Sequence, residues 1–169
     1  GALLAPAAFI PLAERTGRIH ALTLDLMRRT FADCGDWLAR GVELDLAINV
    51  APASFSDVHL PEIIEEYSAL EGITPAQIIL EVTERTIADD VLAMMGVLMR
   101  LRLRGITLSI DDFGTGYASL QQLHKMPFTE LKIDRAFVSG AAGDERARSI
   151  LESSIELARR LELRTIAEG

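Results

Sequence analysis

An α/β fold built from parallel strands, closing as a (β/α)8 barrel of which about five of eight units are visible, follows from three features of this sequence. Helical and strand-like patterns alternate from end to end of its 169 residues. Helix-length segments, rather than hairpin turns, separate the strands, which implies parallel neighbours joined by crossovers. The strands themselves alternate apolar with polar residues. An open sheet covered on both faces would give continuous apolar runs instead.

Taken in order, Pro11 to Arg40 reads as helix-rich, with Ile19, Leu22, Leu26, Phe31 and Leu38 near helical spacing and Gly41 as a stop. Leu44 to Val50 is the first strand. Ser56-Asp57 reads as a helix start, and Ile63, Ile64, Tyr67 and Leu70 follow before Gly72. Ile78 to Glu84 is the second strand. Asp89-Asp90 would open the next helix, carried by Leu92, Met95, Leu98, Met99 and Leu103 to Gly105. Thr107 to Phe113 is the third strand, and a short helix near Tyr117 to His124 stops before Pro127. Glu130 to Phe137 is the fourth strand, Asp144 to Leu161 a strongly periodic helix, and Arg164 to Gly169 the fifth strand.

The alternation separates two competing folds. Leu46, Ile48 and Val50 interleave with Asp45, Ala47 and Asn49; Leu108 and Ile110 with Ser109 and Asp111; Leu131 and Ile133 with Glu130, Lys132 and Asp134. One face meets apolar helices while the other looks into something polar. That favours a barrel with a functional mouth over an open doubly wound sheet. The fifth strand alternates less cleanly.

Hydrophobic residues at 49% supply a core, and aromatics at 5% leave it to Leu, Ile, Val and Ala. A net charge of -8 argues against broad contact with a nucleic-acid polymer, but divalent cations can reverse the local sign of a carboxylate-lined pocket. Cys34 is the only cysteine, so neither an internal disulfide nor a thiolate zinc site is expected, and a buried thiol in a reducing cytoplasm is the plain reading. The apolar start to Ala13 is too short to span a bilayer and is broken by Pro6 and Pro11.

Polar residues gather at the carboxyl ends of successive strands, where barrels place their sites: Asn49, Glu81, Asp111-Asp112, Lys132 with Asp134, and Glu168. Oxygen donors of this kind suit Mg²⁺ or Mn²⁺. Adjacent aspartates suggest a bridge, with Asp111 touching both of two ions and Asp112 the second. Each residue also has a plainer use. Asp-Asp before Phe-Gly suits a turn or cap, Asn49 could cap a helix, Glu81 and Glu84 could open one, and Lys132 could pair with Glu130 or Asp134. Five separate caps, however, have no reason to share one rim. The stretch Asp112 to Leu120 adds a glycine-bearing loop beside them. His20, His59 and His124 stand at no ligand spacing and read as surface residues.

In these blocks the sequence resembles the EAL family of cyclic di-GMP phosphodiesterases. The matching segments are FIPLAE at Phe9–Glu14, AINVA at Ala47–Ala51, EVTE at Glu81–Glu84, DDFGTGYASL at Asp111–Leu120, LKIDRAFV at Leu131–Val138 and AEG at Ala167–Gly169. The resemblance implies a modified (β/α)8 barrel with one antiparallel strand that hydrolyses cyclic di-GMP to linear pGpG. It also implies roles. Asn49, Glu81 and Asp111 would hold a first Mg²⁺ or Mn²⁺, Asp111 and Asp112 a second, Lys132 the attacking water, and Glu168 would serve as ligand or base. Glu84 would anchor the DDFGTGYASL loop, which is associated with homodimers, and Asp134 would contact ligand or shape the pocket. GGDEF or sensory domains in a longer parent chain, cytoplasmic or anchored at a membrane, go with the family.

The family's Glu-Ala-Leu strand would precede FIPLAE, and its later strands would follow Gly169. Residues 1–169 are therefore expected to be part of such a domain, lacking one metal-binding glutamate and poor in activity alone. Two other readings compete: an EAL-like receptor that binds cyclic di-GMP without cleaving it, and an enolase-like barrel with carboxylate ligands and a Lys base. Every motif ligand within these residues is intact, which favours the enzyme, and the DDFGTGYASL loop disfavours the enolase-like barrel.

Overall fold

A computed structural model describes residues 4–89, 91–115 and 120–168. Its elements run α1 (Pro6–Arg15), α2 (Ile19–Leu38), β1 (Leu46–Asn49), α3 (Leu60–Leu70), β2 (Ile78–Thr83), α4 (Glu84–Asp89) and α5 (Val91–Leu103). They continue as β3 (Thr107–Phe113), α6 (Leu120–Lys125), β4 (Glu130–Ile133), α7 (Arg135–Gly140), α8 (Glu145–Arg160) and β5 (Arg164–Ala167).

All strand pairs are parallel, and the sheet order is β1-β2-β3-β4-β5. An unbroken sequential order has no reversal point, which a doubly wound sheet requires. Right-handed crossovers that always step the same way leave every helix on one face. The competition between the two folds is thereby resolved towards the TIM-barrel-like arrangement.

Burial keeps the alternation read from the sequence in β1, whereas β2, β3 and β4 are buried on both faces over much of their length, Glu81, Ser109 and Glu130 included. Leu46, Ile48, Leu80, Leu108, Ile110, Leu131 and Ile133 are buried, joined by Met27, Phe31, Leu60, Ile64, Leu98 and Leu101 from the helices. On the other face of β1, Ala47 and Asn49 are exposed. Burying a Leu or Ile side chain contributes roughly 1.5–3 kcal/mol, so the helical face holds the sheet while the polar face is free for chemistry.

Several boundaries differ from the sequence reading. The fourth strand stops at Ile133 rather than Phe137, because Asp134 caps a new helix: its Oδ1 accepts from the Ala136 N–H at 2.7 Å. The second strand stops at Thr83, and Glu84 opens α4 before the helix expected at Asp89-Asp90; Asp90 lies outside the described residues. Ser56-Asp57 does not start a helix. A 3-10 turn spans Pro52–Ser56, and Asp57 instead accepts the His59 N–H at 2.9 Å, just before α3. The residues at 116–119 of the glycine-bearing loop, the start of the helix placed near Tyr117, and Gly169 also lie outside the described residues. No helix among the described residues is long and apolar enough to cross a membrane.

Candidate metal centre

Strand register sets the site. Asn49 pairs with Glu81 across β1 and β2, so two inward positions meet at the strands' carboxyl ends. Asn49 Nδ2 donates to Glu81 Oε2 at 3.2 Å, rather than capping a helix. On β4, Lys132 points to the same face. Its Nζ lies 2.9 Å from Glu81 Oε1, 3.0 Å from Asp111 Oδ1 and 2.6 Å from Glu168 Oε1. The sequence alternatives for Lys132 fall away, because Glu130 instead pairs with Arg164. Glu168 follows β5 and is fixed by its N–H, which donates to the Ile133 carbonyl at 3.3 Å.

Asp111 and Asp112 present a geometric difficulty, since successive strand residues point to opposite faces. The backbone removes it. Between Ile110 and Phe113 the register against β4 shifts, where three steps on β3 face two on β4. Asp112 sits there at φ 55°, in the left-handed region. Such a bulge re-aims a side chain, and oxygens of Asp111, Asp112 and Glu168 come within 4.8 Å of one another. This is the grouping of acidic residues found among the described residues.

The electrostatics are unbalanced. Burial works against the Lys132 charge, but the carboxylates of Glu168, Glu81 and Asp111 outweigh it and hold the ammonium pKa above its ordinary value. The Asp112 carboxyl is pushed up by loss of hydration and then by repulsion from Asp111, Asp134 and Glu168, against relief from Lys132. Asp111 Oδ1 is buried, with the Lys132 ammonium 3.0 Å away. Three carboxylates meet on that ammonium, so negative charge stays in excess around it. An all-oxygen donor set with such an excess fits a hard divalent ion.

The remaining sequence candidates sit apart. Glu84, 2% exposed, accepts from the Gly114 N–H at 3.1 Å and from Thr115 Oγ1 at 3.2 Å. Asp134 caps α7 and also adds negative charge near Asp112. His59 and His124 are exposed, but His20 is half-buried, its Nε2 3.2 Å from Asp57 Oδ2. The sequence reading missed the bulge and α7. The Asp-Asp-Phe-Gly pattern and the Asp134 cap were the signals available for them.

A family-wide sequence model, that of the EAL domain, matches residues 1–169. A cyclic di-GMP phosphodiesterase of Pseudomonas aeruginosa is 36% identical over 166 residues, 98% of this chain and 28% of the relative. The structure titled as the MucR phosphodiesterase in complex with c-di-GMP superposes with a TM-score of 0.88 at 35% identity, covering 98% of this chain and 68% of that one. The Klebsiella pneumoniae BlrP1 structure with manganese and the cyclic dinucleotide gives 0.76 at 29% identity, over 89% of this chain and 38% of that one. The chain spans between 20% and 32% of the length of the first curated relatives it matches.

Proposed function

The chain belongs to the EAL domain family, and from that premise we propose that it hydrolyses cyclic di-GMP to linear pGpG with two Mg²⁺ or Mn²⁺ ions. One observation carries the reading: Glu81, Asp111 and Glu168 meet at Lys132, with Asn49 bonded to Glu81 and Asp112 beside Asp111 and Glu168, so five successive strands contribute to one cluster. In it, Asn49, Glu81 and Asp111 hold one ion, and Asp111 with Asp112 the other. The bound ions supply positive charge to the phosphodiester oxygens and make a nearby water more acidic.

The chain's own groups do the rest. Lys132 keeps its proton, because three carboxylates favour the ammonium, so it orients a water by donating to it and does not act as a base. Glu168, the most exposed of the Lys132 partners, accepts the proton from that water. Glu84 keeps Gly114 and Thr115 in place beside Asp112. A homodimer, a cytoplasmic setting and attached GGDEF or sensory domains belong to the same reading, with residues 1–169 as part of one EAL domain.

The test is incubation of the full-length protein with cyclic di-GMP and Mn²⁺ or Mg²⁺, with products resolved by chromatography. Linear pGpG that requires the metal supports the reading. Bound but uncleaved cyclic di-GMP at saturating metal would replace it with the receptor reading.

A further inference from the structure

We infer that Phe137 is a positioning residue for Asp112, acting through Gly114; this deepens the reading above, because the ion Asp112 would hold belongs to that site. Asp112 has the left-handed backbone that puts its carboxylate beside Asp111. A non-glycine residue is strained in that conformation, Asp less than most, so neighbouring contacts decide whether it is kept.

The neighbours do hold it. The Phe113 side chain is buried, and its carbonyl accepts the Asp134 N–H at 3.3 Å. Gly114, at φ 110°, is gripped from two sides. On one side its N–H donates to Glu84. On the other, a Cβ placed on Gly114 would lie 2.7 Å from Phe137 Cε2, 3.0 Å from Cδ2 and 3.3 Å from Ile150 Cγ2. The ring and methyl therefore fill the space a side chain would take and close that side of the glycine. Asp134 caps the helix that carries Phe137, so one short helix both receives the Phe113 carbonyl and delivers the ring. Without the ring, Gly114 can draw away from Glu84, and Asp112 can relax to an extended strand that turns its carboxylate to the opposite face.

The experiment compares wild-type, Phe137→Ala, Phe137→Leu, Asp112→Asn and Asp111→Asn full-length proteins without substrate. Calorimetric titration reads Mn²⁺ uptake, and hydrogen exchange reads the Gly114 amide. Phe137→Ala should weaken the same binding step that Asp112→Asn weakens, by about tenfold, and leave the other step unchanged. It should also speed Gly114 exchange, and Phe137→Leu should recover most of both effects. Unchanged affinity and exchange in Phe137→Ala would overturn the inference, as would equal weakening of both steps, the mark of general loosening. Wild-type protein that takes up no Mn²⁺ overturns the metal reading and this inference together; that outcome is recognised because Asp111→Asn then changes nothing either.

Discussion

Two charge clusters lie on opposite faces of the same sheet and are balanced differently. On the helical side, Glu62 and Glu65 of α3 meet Arg100 and Arg104 of α5, two acids against two guanidiniums. Arg100 also donates to the Val58 carbonyl, so the cluster ties its helix to the preceding loop. On the polar side, Glu81, Asp111, Asp112 and Glu168 share the single ammonium of Lys132. Each cluster holds one buried carboxylate oxygen without a hydrogen bond, Glu62 Oε2 in the outer and Asp111 Oδ1 in the inner, so the difference between them is charge: the outer cluster neutralises itself and the inner one is short of positive charge. A self-neutralising network clamps two helices, whereas the one deficient in positive charge is the one proposed above to take up divalent cations.

The comparison can be broken at several points. The largest effect is expected from Asp111→Asn, which removes the charge proposed to serve both ions. Turnover of cyclic di-GMP should fall by about 10³-fold or more in a product assay. Near-normal turnover would contradict the bridging role. Next, Lys132→Met removes the one ammonium from among several carboxylates. With its side chain 14% exposed, the metal-free protein should lose about 3 kcal/mol in denaturant unfolding, and Mn²⁺ should return part of that. Equal loss with and without Mn²⁺ would separate the ammonium from the cation site.

Glu84→Ala leaves the Gly114 N–H without its acceptor, while the Thr115 hydroxyl keeps the Asp112 carbonyl, and should cost about 2 kcal/mol. Thermal unfolding checks it. The outer cluster should matter least. Arg104→Met is expected to leave unfolding close to wild type, as exposed pairs contribute little.

The same cluster has a pH signature. Burial raises the Glu62 pKa, but its bond to Arg100 and the charges of Arg100 and Arg104 outweigh that and hold it below the ordinary glutamate value of 4.5. Its stabilising contribution is therefore complete above pH 4.5 and is lost as the pH falls through the lowered value. Melting wild-type and Glu62→Gln proteins across this range should show a small difference that vanishes in acid.

Much of this contrast was legible in the sequence. Alternating Leu108-Ser109-Ile110-Asp111 and Leu131-Lys132-Ile133 announced a sheet with one apolar and one polar face; the apolar residues are buried as expected, but Ser109 is buried with them. Asn49, Glu81, Asp111, Asp112, Lys132 and Glu168 were all singled out by their position at strand ends. What the sequence hid depends on tertiary register. The period of two puts Asp111 and Asp112 on opposite faces, and only the slip against β4 brings them together. Arg135, Ala136 and Phe137 read as a continued strand, because local β propensity competes with a cap whose effect appears only when Asp134 turns back onto Ala136. Lys132 had Glu130 and Asp134 as near neighbours in sequence. Its actual partners come from β2, β3 and the end of β5, which local spacing could not reveal.

The rim's appetite for cations is tested most directly by counting Mn²⁺ ions bound to full-length wild-type and Asp111→Asn proteins by calorimetry at matched pH. Two ions on the wild type, with both affinities lost or sharply reduced by the substitution, is the expected result. Identical stoichiometry and affinity in the two proteins would mean that the acidic cluster around Lys132 is not a metal centre.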